Sequence, residues 1–130
     1  HFLARRKGHV VIMSSLAAHL GLPDAPLYSA SKAAIRIYGH GLRRLIADKG
    51  VLVTVVCPGF VTTPMSAGVP GPQPFRWSAE RAATRIAEGL ARGEREISFP
   101  WQLALLSRLA AALPAPVIDP LLARNRRRRQ

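Results

Sequence analysis

The chain has one cysteine, Cys57, and only seven acidic residues among 130 positions. A single cysteine excludes an intramolecular disulfide and any cysteine-rich zinc site. Long hydrophobic runs are missing too. The longest nearly apolar segment, Trp101 to Leu113, has thirteen residues between Pro100 and Pro114, whereas a membrane-spanning helix needs about twenty. The apolar run starting at Val10 passes through Ser14-Ser15 into a loop and a polar-faced helix, which is not the layout of a secretory signal. No internal repeat is visible. With 48% apolar residues, and enough length to bury roughly two thirds of its unfolded surface, the chain is expected to fold.

Against the few acids stand nineteen Lys and Arg, for a formal net charge of +12. Such an excess points toward nucleic acid or an anionic membrane. Its location weakens that inference. Arg5-Arg6-Lys7 and the group Arg124 with Arg126 to Arg129 hold eight of the basic residues, and all seven acids lie between them. The body from Gly8 to Ala123 carries eleven basic against seven acidic residues, or +4. No stacking aromatics or nucleic-acid-binding motif accompany the end clusters, so nucleic acid is not an expected partner.

His9 to Met13 is a short, continuous, β-branched-rich run of the kind found in parallel strands covered on both faces. Ser14 to Pro26 contains Gly21, Pro23, Asp24 and Pro26 and reads as a loop. From Leu27 to Lys49 the spacing of Ala34, Ile35, Tyr38, Leu42, Leu45 and Ile46 predicts a helix with one buried stripe. Arg36, Arg43, Arg44 and Lys49 fall mostly off that stripe, and Gly50 takes the place of a helix C-terminal glycine. Val51 to Cys57, closed by Pro58-Gly59, is the strongest strand signal. Strand, helix and strand in this order form a βαβ unit with parallel strands. Thr62 to Phe75, with four prolines and two glycines, is expected to be a surface excursion. Ser78 suits an N-cap for a helix whose stripe of Ala82, Ala83, Ile86, Ala87 and Leu90 ends near Gly93. Glu96 to Phe99 is a candidate third strand.

Tyr28 and Lys32 stand four apart on the predicted long helix, one turn apart on one face. Alone that pair says little. Its place says more, because the helix starts beside the C-terminal end of the first strand, where ligands bind in parallel α/β sheets. Ser14 and Ser15 leave the same strand end, and Pro58-Gly59 leaves the corresponding end of the next.

The set Ser15, then Tyr28-Ser29-Ala30-Ser31-Lys32, then Pro58-Gly59-Phe60-Val61-Thr62-Thr63-Pro64-Met65, resembles the second half of a short-chain dehydrogenase/reductase. In that family a serine lies thirteen residues before the tyrosine of a Tyr-x-x-x-Lys motif, which selects Ser15 over Ser14. The resemblance covers roughly Gly8 to Met65 and, in weaker form, the helix to Gly93. It implies an α/β fold, the C-terminal part of a Rossmann-type doubly wound parallel sheet. It also implies an NAD(P)-dependent oxidoreductase interconverting an alcohol and a carbonyl, with Tyr28 as acid/base, Lys32 tuning it and Ser15 orienting the substrate oxygen. Tyr28, Lys32, Pro58, Gly59, Val61 and Thr63 would contact the cofactor, and no metal is implied. The residue types suit that chemistry. A free phenol ionises near pH ~10, and a neighbouring ammonium favours the phenolate. A serine hydroxyl can position the carbonyl oxygen where negative charge develops.

Several family features differ or are missing. Ala18 stands where the family often has glycine. His19 is expected to be an exposed loop residue, and a Ser15-His19-Asp24 hydrolase lacks the Gly-x-Ser-x-Gly elbow. Cys57 reads as a packing residue. Neither the Gly-x-x-x-Gly-x-Gly turn nor the Asn-Asn-Ala-Gly segment of the family occurs. The chain is therefore expected to carry the chemical half of the site without the N-terminal cofactor-binding strands, leaving NAD and NADP equally open. The first strand should then present an unpaired edge. Residues 1–99 would form the Rossmann part, with strand-helix-strand at 8–65 and a helix at 78–93. Residues 100–123 would form an apolar extension, and 124–130 a basic tail without order. The alternative is a truncated or non-catalytic chain serving as a binding or structural subunit. Expected partners are a lipophilic alcohol or ketone, further copies of the complete chain, and a membrane surface met by the apolar extension and basic tail. The expected location is cytoplasmic, with membrane association through that end.

Overall fold

The computed structural model describes residues 1–69 and 71–127, the side chains of 125–127 excepted. In chain order the elements are α1 (Phe2–Arg5), β1 (Gly8–Met13), a 3-10 turn (Leu16–His19), α2 (Pro26–Leu45), β2 (Val51–Pro58), α3 (Pro64–Ala67), α4 (Ala79–Ala91), β3 (Glu96–Phe99), α5 (Trp101–Ala112) and α6 (Ala115–Arg127). The strands form a parallel sheet in the order β1-β2-β3. Gly8 to Met13 pair with Val51 to Val56, and Val55 to Pro58 with Glu96 to Phe99.

β-Branched residues suit a pleated surface, and their alternation along β2 covers both faces of the sheet. Val51 and Val53 pack with Leu42 and Ile46 beneath α2, and Val55 and Cys57 pack with Leu16 and Ala104. On the opposite face Val56 joins Ile97, Phe99 and Ala82 under α4. Val56, Cys57 and Ile97 are completely buried, so the core runs through the central strand. Full burial of each such aliphatic side chain stabilises by about 2 kcal/mol.

β1 is an edge strand whose described partner is β2 alone, and Val11 and Met13 are exposed. That matches the unpaired edge expected from the sequence.

The helix crossing from β1 to β2 differs from its expected packing. Leu42 and Ile46 do face the sheet, but Ala34, Ile35, Tyr38 and Leu45 are exposed. Ser29 and Gly39 are buried in their place. Gly39 explains the rotation. A Cβ there would lie 2.6 Å from Val55 Cγ2, so the helix axis approaches β2 at that point and turns the apolar stripe outward. The helix also stops at Leu45 with Ile46 as its C-cap, leaving Gly50 in the turn before β2 rather than at the cap.

α5 packs through Leu103 and Ala104 on the 3-10 turn and β2. α6 exposes Val117 and Leu121. Arg124 to Arg127, expected to lie in an unordered tail, continue α6, while 128–130 fall outside the described residues. Among the described residues no helix is long and apolar enough to cross a membrane.

Candidate active site

Where β1 ends, two adjacent serines take separate tasks. The Ser14 backbone N–H donates to Val56 O at 2.7 Å, and its hydroxyl donates to Lys32 O at 2.8 Å. Ser14 is buried and ties strand to helix. Ser15, one residue on, caps the 3-10 turn. Its Oγ accepts from Ala17 N at 3.1 Å and donates to Pro58 O at 3.4 Å, linking the ends of β1 and β2.

α2 begins at Pro26, a residue preorganised for a first helical turn. Tyr28 therefore stands at the same sheet edge, its side chain 44% exposed and its phenol O–H without a partner among the described residues. Lys32 Nζ donates to Met13 O at 3.3 Å and lies 5.6 Å from the Tyr28 ring centroid. The serines between them are local braces. Ser29 Oγ accepts from Leu22 N at 3.2 Å, holding the preceding loop to the helix, and Ser31 Oγ donates to Tyr28 O at 2.8 Å.

Pro58 and Gly59 leave β2 at the same edge. The Gly59 N–H donates to Phe99 O at 2.7 Å, and a Cβ on Gly59 would sit 2.9 Å from Leu103 Cδ2 and 3.0 Å from Pro100 Cδ. Val61 forms a bridge with Trp77, whose ring stacks on Phe99 with centroids 5.0 Å apart. Thr63 caps α3, its Oγ1 accepting from Ser66 N at 3.2 Å while its own N–H donates to Ser66 Oγ at 3.0 Å. The expected excursion from Thr62 to Phe75 is thus pinned at both ends. Ser15, Lys32 and Pro58 are joined through backbone oxygens at one edge. Val61 and Thr63 follow on the same segment but contact their own turn.

Sequence reasoning missed a second cluster around Glu96. Its Oε2 is held by His40 Nε2 at 2.7 Å and Arg36 Nη2 at 2.8 Å, and its Oε1 by Arg108 Nη2 at 2.8 Å and Ser98 Oγ at 3.0 Å. Burial works to raise the Glu96 carboxyl pKa. The Arg36 guanidinium, with hydrogen bonds from Ser98, His40 and Arg108, outweighs it and holds the value at about 2. A lone acid inside an apolar strand, beside arginines at helical spacing, was the available signal. His19, expected to be exposed, is half-buried, its side chain only 7% exposed and its Nε2 3.9 Å from Glu96 Oε1, so it turns toward Glu96. Burial and the nearby Arg36 lower its pKa below 6.5.

Donor atoms of His19, Cys57 and Glu96 lie within 4.8 Å of one another, a spacing compatible with a metal. The surroundings do not fit one. Both Glu96 oxygens already serve Arg36, His40, Ser98 and Arg108, and the two guanidiniums oppose a further cation. Burial also raises the Cys57 pKa, which disfavours the thiolate ligand.

Comparison with known proteins identifies the family and the fold. The family model for short chain dehydrogenases matches residues 1–73. An uncharacterised oxidoreductase of Myxococcus xanthus is 41% identical over 122 residues, covering 94% of this chain and 48% of that protein. A short chain dehydrogenase from Burkholderia cenocepacia, solved in complex with NADP, superimposes with a TM-score of 0.75 at 27% identity, covering 95% of this chain and 50% of that one. A Sphingobium yanoikuyae short-chain dehydrogenase solved with NADPH shares the fold at 20% identity and a TM-score of 0.70. The chain thus spans about half the length of both the Myxococcus relative and the Burkholderia structure. Its fold is the Rossmann-like α/β fold of these enzymes, and the chain belongs to the short chain dehydrogenase family.

Proposed function

We propose that this chain supplies the catalytic half of an NAD(P)-dependent oxidoreductase that interconverts an alcohol and a carbonyl. The observation that carries the reading is the meeting of Ser15, Tyr28 and Lys32 at the C-terminal edge of parallel strands, with Lys32 Nζ between Met13 O and the Tyr28 ring. The donor set fits the nicotinamide end of a dinucleotide. Lys32 spends one donor on Met13 O and keeps others for ribose hydroxyls, and the Tyr28 hydroxyl has no competing partner among the described residues. The NADP-bound Burkholderia structure supports that choice of ligand class. Pro58, Gly59, Val61 and Thr63 form the segment facing the nicotinamide. The glycine-rich phosphate-binding turn has no counterpart in this sequence.

When bound, the nicotinamide takes up or releases the hydride. Tyr28 moves the matching proton at the substrate oxygen, accepting it from an alcohol or giving it to a carbonyl. Lys32 stabilises the negative charge on the phenol oxygen, and Ser15 donates a hydrogen bond that holds the substrate oxygen beside it. A nearby cleft mixes the aromatic Phe75, Trp77 and Trp101 with Arg76, Arg81 and Gln102, so it suits a substrate with both apolar and polar groups.

The test uses the full chain with NADH or NADPH and a panel of lipophilic ketones. Ser15→Ala should lower kcat by about a hundredfold, and Lys32→Met should weaken cofactor binding as well as lowering kcat. Unchanged turnover in both variants would sink the proposal. The second reading is a non-catalytic binding or structural subunit. Failure of the full chain to bind either dinucleotide would favour it.

Two surfaces suit further contacts of the complete protein. Ile37, Tyr38 and Leu45 on the outward face of α2 offer an apolar stripe for a second copy of the chain. Trp101, Leu105, Leu109 and Leu121 on α5 and α6 face solvent ahead of the basic run and suit an anionic membrane surface.

A further inference from the structure

A groove lined by none of Ser15, Tyr28 and Lys32 lies on the same helix as the catalytic pair. It lies between α2 and α5, is floored by the start of β3, and has a volume of about 560 Å³. Arg36, Arg43 and Arg44 line it from α2, Arg95 from the residue before β3, and Arg108 from α5. Glu96 is the single carboxylate among the lining residues. Five guanidiniums against one carboxylate leave a formal +4, His40 not counted.

Glu96 is already committed to Arg36, His40 and Arg108. Arg43, Arg44 and Arg95 have no carboxylate partner among the described residues, and Arg43 Nε is buried without any hydrogen bond. Helix-end electrostatics explain cations in the last turn of α2, and Glu96 explains Arg36 and Arg108. Neither explains Arg95, or a buried guanidinium nitrogen with nothing to donate to. A buried unpaired donor costs about 1–3 kcal/mol, and clustered like charges add to that. Forked guanidiniums converging from three elements match the oxygens of a phosphate.

We propose that this groove binds a small, soluble, phosphate-bearing anion at a site separate from Ser15, Tyr28 and Lys32. Along α2 the groove starts at Arg36, one turn beyond Lys32, and runs to Arg44, and neither Tyr28 nor Lys32 lines it. The inference does not rest on the proposed redox chemistry, and its readout is anion binding rather than turnover.

The experiment is a calorimetric titration of the full chain with inorganic pyrophosphate at low ionic strength, repeated with sodium chloride at matched ionic strength. Binding with Kd below about 1 mM is expected, with chloride giving no comparable heat. Combining Arg43→Gln, Arg44→Gln and Arg95→Gln should weaken pyrophosphate by at least about tenfold and leave NADP affinity unchanged. Without anion this variant should melt no lower than the wild type, because repulsion has been removed. Arg95→Gln alone, at an exposed position, keeps the test decisive if the triple variant does not fold. Pyrophosphate heats equal to those of chloride, or equal affinity in wild type and variants, would overturn the proposal. So would loss of NADP and pyrophosphate affinity together, which would place the anion in the dinucleotide site.

Discussion

Glu96 holds two arginines, a histidine and a serine at once, and its ionisation governs how firmly β3, α2 and α5 stay joined. A carboxyl with an ordinary pKa of 4.5, held at about 2 in the fold, contributes about 3 kcal/mol at neutral pH. The contribution is complete above the unfolded pKa and is lost as the pH falls from about 5 toward 2. His19 acts in the same direction. Its lowered pKa means that acid favours the unfolded chain from about pH 6.5 downward. Glu96→Gln should lower stability at pH 7 by about 3 kcal/mol, because Arg36 and Arg108 are left facing each other. It should also flatten the loss below pH 5. Thermal melts at neutral and acid pH read both effects, and a variant as pH-sensitive as the wild type would contradict the assignment. Cys57 is a simpler case. It is completely buried and its pKa is raised, so it should resist alkylation until the chain unfolds.

Among the elements, α2 carries most of the consequence. Gly39 lets it approach Val55, and from that contact follow the inward positions of Ser29 and Arg36 and the outward stripe of Ile37, Tyr38 and Leu45. Gly39→Ala sets two effects against each other. Alanine is favoured over glycine within a helix by about 1 kcal/mol, but its Cβ would meet a buried, β-branched side chain at 2.6 Å. Overpacking of that kind costs about 1–3 kcal/mol. The net expectation is a destabilisation of up to about 2 kcal/mol in urea denaturation, and a stabilised variant would show that α2 does not pack as described.

This helix also marks where the sequence was and was not legible. β2 could be read because an uninterrupted β-branched run has few alternatives, and α4 because Ser78 caps a clear stripe; its side chain does accept from Arg81 N. The face of α2 could be read from apolar spacing only at Leu42 and Ile46, since the rest of its inward side is serine, arginine and glycine with partners on other elements. The placement of Ser15, Tyr28 and Lys32 at one edge was legible because strand ends and helix start fix it, while the choice of those three residues came from the family resemblance. The Glu96 cluster was not, because Arg36, Arg108 and His19 reach it from three separate segments.

At the scale of the molecule, three parallel strands make two pairings, β1 with β2 and β2 with β3, and leave β1 and β3 as the edges. β1 exposes Val11 and Met13 beside unpaired backbone groups, so the 130-residue chain alone should self-associate. Sedimentation over a range of concentrations measures this, and a strictly monomeric chain with a sharp melt would argue that β1 is protected. The same architecture predicts weak dinucleotide binding by the 130-residue chain alone, because the glycine turn that holds the pyrophosphate is not among its residues. A micromolar Kd for NADP would show that phosphate contacts lie within these elements after all.

The central claim is that Tyr28 exchanges the proton in a hydride-transfer reaction at the C-terminal edge of this sheet. The direct measurement is deuterium transfer from 4-deuterated NADH or NADPH to a panel of ketones by the full chain, followed by mass spectrometry, with Tyr28→Phe beside the wild type. Label should appear in the wild-type alcohol products, and Tyr28→Phe should transfer it about a hundredfold or more slowly while its cofactor Kd changes little. Equal transfer by the variant, or no transfer by a wild-type chain that binds the dinucleotide, would contradict the claim.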